Sequence, residues 1–160
     1  MGQLVNAPTA FARADVTRNA QDTRCERSGH AKLKSVRAST VVIEPNEHGY
    51  IGAEAHTNNT GELTAMHKAL SDALTRPAGG GREIIWSDSL YTINMTTGRW
   101  RPRCPRNREI VASTRGLWRR LQRQRDAEVE LRHVRSHTRV PGNELADWLA
   151  DVGKIEGGPV

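Results

Sequence analysis

Between residues 83 and 136 the hydrophobic period changes from strand-like to helical and back. That alternation limits the folds open to this chain more than any other feature. "EIIWSD" (83–88) is a short buried-type run that ends on Asp88. "SLYTINMTTG" reads as a short helix stopped by Gly98. "NREIVASTRGLWRRLQRQ" (107–124) places Ile110, Thr114, Leu117, Trp118 and Leu121 on one face of a longer helix. "EVELRHVRS" (128–136) alternates strictly, as a half-buried strand does. "PGNELADWLADVG" (141–153) is a helix with Pro near its start and Gly at its end. Upstream, "STVVIEP" (39–45) and "YIGAEAH" (50–56) read as two strands of a hairpin around "NEHG". From Thr60, "TGELTAMHKALSDAL" carries Leu63, Met66, Leu70 and Leu74 at helical spacing, and "RPAGGGR" (76–82) breaks it. Residues 1–21 show no clean period and read as a tail or a poorly formed first strand. Hairpin strands followed by alternating helices and strands predict an α/β chain with a mixed sheet flanked by helices.

At 160 residues the chain can build one domain with a real core. Its 24 Lys and Arg outnumber 18 acids, giving a formal charge of +6, which suits an anionic partner, nucleic acid first. Arg clusters stand at "GRWRPRCPRNR" (98–108) and "RRLQRQR" (119–125). The planar guanidinium bonds two phosphate oxygens at once, although any single cluster reads equally as a solvated face. Cys25 and Cys104 have no CxxC spacing, so neither a zinc site nor a disulfide framework is predicted. A reducing intracellular setting, cytoplasm or nucleus, is expected. The Arg-rich, acid-poor residues 1–20 leave organelle targeting open. No apolar run approaches the length of a membrane span.

Three acids fall at informative places: Glu62 at a helix start, Asp88 at a strand end and Asp147 within the last helix. Carboxylates gathered at one sheet edge repel unless divalent cations neutralise them, and Mg²⁺ prefers such oxygen ligands. The stretch "EAHTNNTGEL" sets Asn58 and Asn59 just ahead of Glu62. Its ordinary reading is a Thr or Asn helix cap with a Glu complementing the dipole of the first turn.

Together, "TNNTGEL", "WSDSLY" and "HTRVPGNELADWLAD" resemble ribonuclease H type 1, over roughly residues 22–153. The order and spacing carry the likeness: 26 residues from Glu62 to Asp88 and 10 from His137 to Asp147. The resemblance implies a five-stranded mixed sheet flanked by helices, with the domain over 21–154 and 155–160 as a tail. It implies hydrolysis of the RNA strand of RNA–DNA hybrids by a monomer without a membrane partner. Four carboxylates would hold two Mg²⁺, with Mn²⁺ able to substitute, beside a mobile His.

Carried over residue by residue, Glu62, Asp88 and Asp147 match three of the carboxylates, and His137 matches the His. Arg139 stands where the family usually has Gly. The fourth carboxylate belongs to a "DGS" that this chain lacks. Asp22 in "DTRC" is nearest, 40 residues before Glu62 and with Cys25 following. Asp15 in "RADVTRN" is the competitor, and a chain with neither is the third possibility. Thr57 matches a residue that seats a DNA phosphate, and Asn58 and Asn59 match those that bond RNA in the minor groove. A side-chain amide can answer a 2′-OH as donor or acceptor. Asn107 resembles a second phosphate-pocket residue, and Trp100, among Arg99, Arg101 and Arg103, the aromatic that packs on DNA sugars, with an ordinary core Trp as the equal alternative. Trp86, Trp118 and Trp148 are expected in the core, and His133 is expected to be structural. The short stretch from Gly98 to Asn107 leaves little room for the long basic handle of some members. Two rival readings are a hybrid-binding module of the same fold that does not cut, and the ribonuclease H portion of a retroelement polyprotein.

Overall fold

The computed structural model describes residues 10–17, 32–77, 83–103, 105–125, 128–135 and 141–156. In chain order these form β1 (Ala10–Thr17), β2 (Lys32–Thr40), α1 (Asn58–Thr75), β3 (Glu83–Ser87), α2 (Leu90–Thr97), a 3-10 turn (Pro105–Asn107), α3 (Arg108–Gln124), β4 (Val129–His133) and α4 (Pro141–Glu156). β1 pairs antiparallel with β2, its register shifting between Asp15 and Val16. β3 pairs parallel with β4, from Glu83 opposite Val129 to Ser87 opposite His133. Two helices and a 3-10 turn connect that parallel pair, the kind of crossover parallel strands require. No described helix is long and apolar enough to cross a membrane.

The α/β class holds, but among the described residues four strands form two separate pairs. A five-stranded sheet is not seen among the described residues, and the hairpin expected over 39–45 and 50–56 is corrected. Only Ser39 and Thr40 of that stretch lie in a strand, and residues 41–57 form turns and coil. The physical reason is visible at two glycines with φ of 95°, Gly49 and Gly52, which break the extended path. At Gly52 the backbone also presses onto the start of α3. A Cβ there would lie 2.6 Å from Glu109 Cγ and 2.7 Å from the Ile110 amide nitrogen. The segment is therefore held by packing against a helix rather than by strand pairing, and it buries Val41 and Ala53 beside Leu63, Met95, Ile110 and Val111.

A second core cluster lies between α1, α3 and the parallel strands, around Met66, Leu70, Ile93, Trp118, Leu121 and Val129. The helical spacing seen in the sequence is thus the buried face. Leu63, Met66 and Leu70 are buried on α1, as are Ile110, Thr114, Trp118 and Leu121 on α3. α1 and α3 lie side by side and run the same way: His67 Nε2 meets Ser113 Oγ at 2.9 Å, and Arg125, just after α3, reaches the end of α1. α1 also packs on β1, and α4 packs on both β1 and β2.

Of the three tryptophans expected in the core, Trp118 is there, but Trp86 is 56% and Trp148 61% exposed. Strand alternation explains Trp86. Its neighbour Ile85 faces the core, so Trp86 faces away, beneath the Arg132 guanidinium at 5.6 Å. Trp148 stands next to buried Leu149 on α4, a step that turns it off the buried stripe.

Candidate active site

Because β3 and β4 are parallel, their carboxyl ends open on one edge, the usual place for a ligand in such a sheet. Asp88 follows directly on β3. Ser89 then caps α2, its Oγ accepting from the Thr92 amide at 3.1 Å. The same hydroxyl donates to Glu62 Oε2 from the neighbouring helix α1, and Thr92 Oγ1 reaches that oxygen at 3.5 Å. The turn that places Asp88 therefore also holds Glu62. On the other strand, the Val134 amide donates to the Ser87 carbonyl at 3.0 Å, and His133 Nε2 lies 3.1 Å from the Asp88 carbonyl oxygen. His133 thus steadies the strand end, the structural role expected of it.

The electrostatics single out Glu62. Burial raises its pKa first, the nearby charge of Asp88 raises it further, and the hydroxyls of Ser89 and Thr92 oppose both. A carboxylate desolvated beside a second carboxylate favours either a proton or a cation. The donor chemistry of this pair fits a divalent metal ion. Asp147 lies on α4, its Oδ2 accepting from Asn143 Nδ2 at 3.3 Å. Among the described residues no three of His, Cys, Asp and Glu form a group that could hold a metal ion, so Glu62 and Asp88 stand as a pair. Asp22 and His137 lie outside the described residues, as do Cys25, Cys104 and Arg139. Asp15 lies in β1, opposite Ser35.

The amide stretch divides its labour. Thr57 is the N-cap of α1: its Oγ1 accepts from the Thr60 amide at 3.2 Å while Thr60 Oγ1 accepts from the Thr57 amide at 2.9 Å. Thr60 completes this capping box, and Glu62 stands beyond the first turn, which holds no acid. That corrects the reading of Glu62 as a complement to the dipole of the first turn. Asn58 and Asn59 are exposed in the first turn. Asn107 caps α3 by position only, and its Nδ2 lies 3.3 Å from the Tyr91 hydroxyl. Trp100 is 49% exposed on the loop after α2. Arg115 of α3 fixes that loop, donating from Nε to the Met95 carbonyl at 2.6 Å and from Nη2 to the Trp100 carbonyl.

Ser89 and Thr92 were not anticipated. Their signal was present: a Ser directly after a strand-ending acid, with a helix following, is an N-cap position. What sequence could not supply was the direction of its hydroxyl proton, toward Glu62 on another helix.

A sequence profile of the RNase H family matches residues 25–154. The chain is 38% identical over 126 residues to a ribonuclease H of Saccharopolyspora erythraea, covering 72% of this chain and 79% of that one. It is 39% identical over 120 residues to a ribonuclease H of Dichelobacter nodosus, covering 69% and 77%. In fold it is similar to the N-terminal RNase H domain of Rv2228c from Mycobacterium tuberculosis, with a TM-score of 0.55 at 17% identity over 92% of this chain and 94% of that one. It is likewise similar to RNase H1 of Halobacterium salinarum, with a TM-score of 0.55 at 22% identity over 92% and 87%.

Proposed function

Because the chain belongs to the RNase H family and is a ribonuclease H hydrolase, we propose that it cuts the RNA strand of RNA–DNA hybrids internally, with two divalent metal ions. The observation that carries this reading is the Glu62–Asp88 pair at the open edge of the parallel strands. Glu62, Asp88, Asp147 and the first-strand acid, Asp22, would hold the ions. Bound there, Mg²⁺ would supply an activated water and stabilise the charge on the departing 3′ oxygen. The products would carry 5′-phosphate and 3′-hydroxyl ends.

The chain's own residues do the rest. Ser89 and Thr92 hold one oxygen of Glu62 by hydrogen bonds, so its carboxylate keeps one orientation. Asn58 and Asn59 would read 2′-hydroxyls, with Thr57 and Asn107 at DNA phosphates and Trp100 against DNA sugars. His137 would move a proton or help product leave, since an imidazole changes charge near neutral pH. The protein would act as a monomer inside the cell, with the domain over 21–154.

A second reading, a hybrid-binding module that does not cut, draws on one observation. The family match begins at residue 25, after both Asp15 and Asp22. A cleavage assay on a labelled hybrid, with and without Mg²⁺ and with duplex DNA as control, separates the two. Mg²⁺-dependent cutting of the hybrid alone is the expected result. Tight hybrid binding with no cutting would favour the second reading.

A further inference from the structure

Residues 98–124 hold nine arginines and a single acid, Glu109, and the hydrolytic site accounts for few of them. On α3 the buried stripe through Ile110, Thr114, Trp118 and Leu121 leaves the opposite face to Arg108, Arg119, Arg120 and Arg123, all exposed. Among the described residues none of these four has a carboxylate partner. Arg115, Arg119 and Arg123 repeat every four residues, a spacing at which like charges repel. Ala112 and Gly116 lie exposed on the same face, and a Cβ added to Gly116 would meet nothing within 4 Å. Packing inside the protein therefore does not require this mid-helix glycine, whereas close approach of an outside body would use it.

Resting on the reading above, we propose that the outer face of α3 is a track for the phosphate backbone of the same hybrid, beyond the cut. Direction and continuity support it. Arg108 begins α3 beside the segment that leads into Thr57, because Gly52 packs on Glu109 and Ile110. The helix runs away from there alongside α1. Arg115 ties the basic loop of residues 99–103 to the helix, so loop and face form one basic surface. From Arg108 to Arg123 the face spans about 22 Å at 1.5 Å per residue. Measured along the axis of a duplex, that is the rise of roughly six or seven base pairs. A nucleic acid duplex is the occupant that matches this repeat of positive charge.

The test uses the full chain and two triple variants, Arg119→Gln/Arg120→Gln/Arg123→Gln and the charge-keeping Arg119→Lys/Arg120→Lys/Arg123→Lys. Binding to a hybrid of about 24 base pairs is measured by anisotropy over a salt series without Mg²⁺, and cleavage is measured on a hybrid of about 8 base pairs. The Gln variant should bind the long hybrid on the order of tenfold or more weakly at about 0.1 M salt. Its slope of log K against log salt should fall by about 2 to 3, since each phosphate contact contributes about 0.9. The Lys variant should keep the slope, and cleavage of the short hybrid should be unchanged in both. Equal slopes for wild type and the Gln variant, with the short hybrid still cut, would overturn the track. Failure of the wild type to cut or bind the short hybrid would instead count against the hydrolytic reading. Weakened binding by both variants, with the short hybrid still cut, would also overturn it, because the lost factor would not be charge.

Discussion

Glu62 takes up a proton more readily in the fold than in the unfolded chain, because burial and the charge of Asp88 both disfavour its ionised form. Its contribution to stability is therefore full at low pH, below the ordinary value of 4.5, and is lost as pH rises through the higher folded value. Glu62→Gln should accordingly raise Tm at neutral pH without Mg²⁺ and change it little in acid. Thermal unfolding of both proteins near pH 4 and near pH 7.5 checks this. A gain that fails to grow with pH would show that charge is not the cause. Asp88 makes the complementary case. Asp88→Asn keeps the shape, removes the charge beside Glu62 and should cut cleavage at least about a thousandfold while hybrid binding survives. The same variant should lower the pKa of Glu62, readable by NMR titration of its side-chain carboxyl. Full cleavage by purified Asp88→Asn would remove Asp88 from the site.

At the scale of elements, the end of α1 depends on one buried cation. Arg125 donates to the Ala73 carbonyl at 3.0 Å, to Arg76 at 3.1 Å and to Pro77 at 2.7 Å, and its Nη2 lies 3.6 Å from Glu83 Oε2. The Ala73 carbonyl also accepts from the Arg76 amide at 3.3 Å, whereas the Arg76 and Pro77 carbonyls lie just past the last residue of the helix. Arg125→Leu should destabilise the fold by about 3 kcal/mol in urea unfolding, because it strands several acceptors at once. A loss below roughly 1 kcal/mol would mean that water replaces the guanidinium. Arg125 was hidden inside the charge run 119–125, where sequence shows four arginines but not which of them turns inward. The helices were legible because period and stop signals agreed: Leu63, Met66 and Leu70 on α1, and Gly98 in the left-handed conformation ending α2. The stretch 39–56 was not. Its apolar alternation is real, but the pressure of Gly52 on α3 is a long-range contact that no local pattern records. Trp86 misled for a related reason. A large aromatic predicts burial, whereas its exposure depends on what covers the outer face of β3.

On the scale of the whole molecule, the proposed catalysis would draw on elements far apart in the chain. α1 brings Glu62, the end of β3 brings Asp88, α4 carries Asp147, and both helices pack on β1. The fourth carboxylate decides whether this assembly cuts. Two acids compete for that place. Asp22 has the spacing to Glu62 and the following Cys25, whereas Asp15 lies in β1 itself, at the point where its register with β2 shifts. An acid that ligates a metal must be free to meet the other carboxylates at about 2.1 Å from a shared ion. The family spacing argues for Asp22, so Asp22→Asn should abolish Mg²⁺-dependent cleavage and the Mg²⁺-induced rise in Tm, while Asp15→Asn leaves both intact. The thermal shift is the independent arm, since it reports metal binding without substrate. The opposite pattern would move the ligand into β1, between the helices that carry Glu62 and Asp147, and keep the enzyme. If neither variant changes cleavage or thermal shift, the site works with three carboxylates at most. If the wild type itself shows neither cleavage nor a Mg²⁺ response yet binds hybrids, the loss of the "DGS" motif has turned a nuclease fold into a hybrid-binding one.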